Sequence, residues 1–96
     1  EFELRQPFPN PFNPTTTIQF NVPVMDTRHV ISLRVFDIAG SMVETLVSGT
    51  MESGQYEIQW DASQHASGIY FLKMESGPST GQGHGYIKKQ KMILMK

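Results

Sequence analysis

Apolar and polar residues alternate along most of this chain with a period of two. Gln55–Trp60 shows it most cleanly: Tyr56, Ile58 and Trp60 fall on one side, Gln55, Glu57 and Gln59 on the other. Successive side chains of a strand point to opposite faces, so the pattern predicts a half-buried strand. The same reading puts Ile18, Phe20 and Val22 on one face of a strand over residues 15–22. Pro23 stops that strand or marks it as an edge. Ile31, Leu33 and Val35 share a face over residues 29–37, as in a central strand, and Tyr70, Leu72 and Met74 share one over residues 69–75. Phe2–Gln6 reads as a short edge piece and Met42–Val47 as a short returning strand, with Ser48–Gly54 as a loop. In the last segment, Tyr86–Lys96, Met92 and Leu94 take one face and Ile93 and Met95 the other, so both sides need cover. No segment keeps a 3.6-residue apolar period over three turns.

Turn chemistry separates these runs. Asp37–Gly40 (DIAG) has an acceptor at its start and a glycine at its end. Asp61–Gly68 (DASQHASG) is a small-residue loop, and Ser76–Gly85 holds four glycines and a proline. Seven short strands with turn signals between them predict an all-β fold. The expected form is a seven-stranded antiparallel β-sandwich of immunoglobulin or fibronectin type III style, with Trp60 and Tyr70 as core anchors.

One stretch breaks the alternation. Pro7–Thr17 (PFPNPFNPTTT) holds four of the six prolines. Proline removes backbone donors and pushes the preceding residue toward extended conformations. The stretch therefore excludes a helix or a central strand and predicts a strap that delivers the chain into the strand after it. Phe8 and Phe12 are its large apolar groups, and both are expected to pin it to the sandwich. The expected division is residues 1–15 as a segment and strap leading from an upstream domain, and residues 16–96 as the sandwich.

Ninety-six residues suffice for one domain. The formal net charge of −1 gives no reason to expect nucleic acid as a partner. Its distribution is uneven: residues 1–87 carry nine acids and four bases, and residues 88–96 carry four lysines and no acid. The absence of cysteine excludes disulfides and thiolate metal sites and leaves the redox compartment open. No apolar run approaches the ~20 residues of a spanning helix. The chain starts at Glu1 without an initiator methionine, which suggests a C-terminal piece of a larger exported protein.

Candidate chemistry is sparse. His29, His65 and His84 match no metal-ligand spacing. Asp61, His65 and Ser67 have the residue types of a nucleophilic triad but crowd one short loop, where triad geometry is hard to form. Calcium at the Asp61 loop lacks a repeated donor spacing. Neither catalysis nor a cofactor is expected. Phe36, Phe71 and Tyr86 are the rings that a carbohydrate-binding face would use, and packing is the simpler use for them. The lysines of residues 88–96 form either a solvated end or a docking feature.

Four stretches together resemble a known family: LRQPFPNPFNPTTTIQFNVP at residues 4–23, LRVFDIAGSMVETLVSG at 33–49, GQYEIQWDASQHASGIYFLKMESG at 54–77 and KKQKMILMK at 88–96. The chain is similar to the type A C-terminal sorting domains of cargo proteins of the type IX (Por) secretion system, themselves similar in fold to the immunoglobulin-like domain of the flagellar hook-capping protein. The resemblance implies a signal that directs an upstream cargo domain in the same chain across the outer membrane, through the periplasm, to the medium or the cell surface. It implies the translocon, its shuttle proteins and a sortase-like cysteine peptidase as partners, and no catalysis by the tail. The family's landmarks fall on Pro9, Asn10, Pro11, Asn13 and Pro14, on Gly40, on Gly68 and Tyr70, and on Lys91, Leu94 and Lys96. The recognised surface is expected at Lys88, Lys89, Lys91, Met92, Ile93, Leu94, Met95 and Lys96, with self-association through an edge strand as a further expectation. The stretch Gly77–Gly85 is longer than the family's usual hairpin, which leaves the pairing of the last strand open. Two other function classes stand beside this one: an accessory polysaccharide-binding module and an inert spacer.

Overall fold

β-branched and aromatic residues in alternating runs become strands throughout the computed structural model, which describes residues 2–24, 29–78 and 85–96. In chain order the strands are β1 (Glu3–Leu4), β2 (Thr15–Val22), β3 (His29–Asp37), β4 (Met42–Thr50), β5 (Gly54–Asp61), β6 (Gly68–Pro78) and β7 (Tyr86–Leu94). They form two antiparallel sheets, one ordered β1-β2-β5 and the other β4-β3-β6-β7. The chain is an all-β sandwich.

On β2, β3 and β6 the inward residues are those the alternation assigned: Ile18, Phe20 and Val22 meet Ile31, Leu33 and Val35 and, from β6, Leu72 and Met74. On the last strand, where both sides were expected to need cover, Met92 and Leu94 are in the core while Ile93 is half-buried and Met95 exposed. Trp60 lies at one end of this core, with ring centroids 5.7 Å from Phe12 and 5.6 Å from Tyr70. The Trp60 indole N–H donates to Glu44 Oε1 at 2.8 Å and the Tyr70 hydroxyl donates to the Ala66 carbonyl at 2.6 Å. Both anchors thus bury their rings without orphaning a polar group.

Some expectations change. β4 runs to Thr50, three residues beyond the expected Val47, so only residues 51–53 separate it from β5. Ser48, Gly49 and Thr50 read as part of a loop, yet Ser48 and Gly49 pair with Ser32 and Ile31; a partner strand supplies what local propensity does not. β2 stops at Val22 and is central to its sheet, between β1 and β5. β7 pairs with β6 from Ser76↔Tyr86 to Gly68↔Leu94 without a register shift, so the long connection between them leaves the ladder intact. Gly85 lies so close to the Ser76 carbonyl that a Cβ there would collide with it. Residues 25–28 and 79–84, the latter including His84, lie outside the described residues.

The DIAG turn forms as its residues dictate. Asp37 Oδ1 accepts from the Ala39 and Ser41 amides at 3.0 and 2.9 Å, and Gly40 takes φ +88°.

Candidate functional site

The strap meets the last strand, and the contact is built from the prolines outward. A proline-rich segment has few N–H groups to offer a strand edge. Here the side chain of Asn10, set between Pro9 and Pro11, supplies the missing pair. A primary amide carries the same donor and acceptor as a peptide group. Asn10 Nδ2 donates to the Lys91 carbonyl at 2.8 Å, and Asn10 Oδ1 accepts from the Ile93 amide at 2.9 Å. Two residues on, the backbone takes over: the Phe12 amide donates to the Ile93 carbonyl, and the Phe12 carbonyl accepts from the Met95 amide, both at 2.9 Å. Gln6 Nε2 adds a bond to the Lys91 carbonyl at 3.2 Å. The outer edge of β7 from Lys91 to Met95 is therefore occupied by the strap.

Phe12 holds this arrangement in place. It is 2% exposed and lies against Trp60. Phe8 behaves otherwise: the residue is 49% exposed. Phe8 still ties the strap down, through two backbone bonds with Thr17 at 2.8 and 3.1 Å. The expectation that both rings anchor the strap is thus corrected for Phe8, whose peptide group does that work. On the other side, Thr16 Oγ1 donates to the Pro9 carbonyl at 2.9 Å and the Ala62 amide to the Pro14 carbonyl at 2.8 Å. The Phe8–Pro9, Asn10–Pro11 and Asn13–Pro14 bonds are cis.

The eight residues expected to form the recognised surface divide by face. Met92 and Leu94 are in the core, at 0% and 1% exposure. Lys89, Lys91 and Ile93 point out of the four-stranded sheet, with Lys89 opposite Lys73 and Lys91 opposite Phe71. Lys88 and Met95 are exposed. Lys96 is docked on the Asp61–Gly68 loop: its amide donates to Ser67 Oγ at 3.1 Å and its Nζ to the Ser63 carbonyl at 2.8 Å. Among the landmarks, Pro9, Pro11 and Asn13 are exposed on the strap, Gly40 makes the DIAG turn, and Gly68 opens β6 opposite Leu94, two residues before Tyr70.

The residue types of a triad do not assemble. Asp61 Oδ1 accepts from the Ser63 amide at 2.9 Å, Ser67 Oγ accepts from Lys96, and His65 lies against Glu44 and the rings of Trp60 and Tyr70. Among the described residues no three His, Cys, Asp or Glu side chains gather around a common point that could hold a metal. What the alternation did not reveal is the role of Asn10. The signal was present, as an asparagine flanked by two prolines, but its partner lies more than 80 residues away.

Comparison with known proteins agrees with this architecture. The crystal structure of the periplasmic chaperone SfaE superposes with a TM-score of 0.64 at 10% identity, over 84% of this chain and 48% of the chaperone, so the chain spans about half the length of that protein. At that identity the likeness is one of fold. No curated protein matches the chain. The family model for the secretion system C-terminal sorting domain matches residues 6–89, from the strap into β7. Over most of its length, then, the chain belongs to the C-terminal sorting domain family, the sorting signals of the type IX secretion system.

Proposed function

We propose that the chain is read as a folded signal, and that the strap and the last strand form one composite recognition surface. A sorting domain engages the type IX secretion machinery and leads its cargo to the outer membrane and beyond. Within that role, the translocon and shuttle proteins are the partners of this surface during periplasmic transit, and a sortase-like peptidase acts afterwards at the junction with the upstream cargo. The carrying observation is the clamp of Asn10 and Phe12 on Lys91–Met95. It gives the proline motif and the terminal lysines a common location although they are far apart in sequence.

Lys88, Lys89 and the run Lys91–Lys96 then share the work. Met92 and Leu94 fix the strand in the core, and Lys88, Lys89, Lys91, Ile93, Met95 and Lys96 present the surface. Self-association would need a free edge. β1 is two residues long, β4 carries two register shifts against β3, and the Lys91–Met95 edge of β7 is covered. Such short, bulged or covered edges discourage strand pairing, which leaves β5 as the regular edge for it. Trp60 is buried, so the single tryptophan offers no ring to a sugar, and no observation favours the polysaccharide-binding reading.

The test is export of a neutral reporter fused to the chain in a cell with a working type IX system. Deletion of residues 92–96 should abolish export. Because that deletion also removes core residues, Lys91→Ala/Lys96→Ala supplies a surface-only variant, expected to lower export severalfold with the domain still folded. Full export from both variants would overturn the reading.

A further inference from the structure

The outer faces of the two sheets differ in chemistry. On the three-stranded sheet, the outward positions of β2 and β5 are Thr15, Thr17, Gln19 and Asn21, and Gln55, Glu57, Gln59 and Asp61; none is a large apolar residue. On the four-stranded sheet, cross-strand rows run Met42–Phe36–Phe71–Lys91 and Thr45–Arg34–Lys73–Lys89. Half of the chain's eight basic residues stand on this face. Their counter-charges are Glu75, shared between Arg34 at 3.9 Å and Lys73 at 3.7 Å, and Asp37, whose Oδ1 is engaged by the turn amides. A groove of about 370 Å³ opens on this face beside the DIAG turn, floored by Phe36 and Phe71 and bordered by Lys73 and Lys89 on the strands and by Asp37, Ile38 and Gly40 of the turn. Ile38 is 71% exposed. Lys73 Nζ lies 5.9 Å from the Phe36 ring centroid, at the range of a cation–π contact.

We propose that this groove docks an acidic protein segment carrying an apolar side chain. Charge complementarity selects the sign: among the described residues of this face four cations stand against two acids, and the net positive balance attracts a segment rich in carboxylates. The floor selects the apolar element, since half-buried rings in a concave site gain most from a protruding partner side chain. An anionic membrane is the competing fit, since Ile38 and Met42 project from this face at 71% and 55% exposure. The concavity over two half-buried rings favours a single protruding protein side chain over a flat lipid surface, and the vesicle titration decides between them. A second copy fits poorly too, because the acidic three-stranded face has no large outward apolar residue on β2 or β5 to fill the groove. As the docking site for a partner in export, the groove rests on the sorting reading; as a binding site for acidic segments, it does not.

Two measurements separate those levels. In the first, the chain is titrated with the probe peptide Asp-Glu-Trp-Glu-Asp, with Lys-Lys-Trp-Lys-Lys, and with vesicles of equal phosphatidylglycerol and phosphatidylcholine, while backbone amide resonances are followed. The acidic peptide should move the amides of Phe36, Phe71, Lys73 and Lys89, with affinity at least tenfold weaker for Lys73→Gln/Lys89→Gln. An equal response to the basic peptide, shifts confined to the three-stranded sheet, or tighter binding to vesicles than to the acidic peptide would each overturn it. In the second, the reporter fusion carries Lys73→Glu/Lys89→Glu, or the milder glutamine pair if reversal disturbs folding. Export should fall at least tenfold, against unchanged export for Gln55→Glu/Gln59→Glu on the opposite face. If removing the whole chain stops export and the lysine variants do not, the sorting reading stands and the docking role falls. If the reporter leaves the cell without the chain, the sorting reading falls, and the titration alone judges the groove.

Discussion

Two phenylalanines four residues apart in the same strap meet opposite fates, and nothing local distinguishes them. Phe12 is surrounded by core and touches Trp60; Phe8 is half in water. Truncating a fully buried Phe costs about 3–5 kcal/mol, for lost transfer and for the cavity. Phe12→Ala should therefore lower stability by ~3–5 kcal/mol, while Phe8→Ala should cost well under that, near the ~0.5 kcal/mol typical of surface changes. Urea unfolding followed by Trp60 fluorescence measures both; equal losses would mean that the ring of Phe8 packs as Phe12 does. Trp60 and Tyr70 were legible as core residues because their strands alternate cleanly. Asp37 was legible because its role is local, with acceptor and donors within four residues.

Elements were legible where their hydrogen bonds follow from strand pattern and illegible where they depend on a partner. The prolines identify the strap as neither helix nor central strand, but not the edge it covers. Asn10 completes that edge, as its amide stands in for a peptide group that proline cannot supply. Asn10→Ala removes one donor and one acceptor from β7, leaving the Lys91 carbonyl with the longer bond from Gln6. A typical hydrogen bond contributes about 0.5–1.5 kcal/mol net, so the variant should fold. Its Ile93 amide should exchange with deuterium severalfold faster, with little change at Leu72 in the sheet interior. Equal protection of Ile93 in variant and parent would show that the clamp does not depend on the side chain. The extra residues of β4 have the same cause: Ser48–Thr50 looks like a loop until β3 is placed beside it.

At the scale of the molecule, the strap and β1 are built into the sandwich. Leu4, Pro7 and Phe12 are all buried, and Gln90 Nε2 donates to the Leu4 carbonyl at 3.0 Å. A boundary at residue 15 cuts through that packing. The fragment 16–96 should consequently lose the cover of Trp60 and of the β7 edge together, and unfold at a clearly lower temperature than the whole chain or associate through the bared edge. Thermal melting with sedimentation velocity decides this, and an equally stable, monomeric fragment would make the boundary at residue 15 a true one. The two sheet faces also separate only at this scale. Arg34, Lys73, Lys89 and Lys91 are dispersed over 58 residues of sequence, and cross-strand register gathers them.

The sequence by itself determined the class of fold, the inward face of most strands, the turns closed by local side chains and, through its combined motifs, the family. The first three rest on interactions between residues a few positions apart, or on a side-chain period that any strand must obey; the family rests on the resemblance carried by the motifs taken together. Tertiary structure alone decided that Phe12 is core and Phe8 is not, that Asn10 serves the last strand, that Met92 and Leu94 are interior members of the terminal run, and that half the basic residues share one face with two half-buried rings. Those outcomes depend on which strands lie side by side, and long-range pairing leaves little trace in the local pattern.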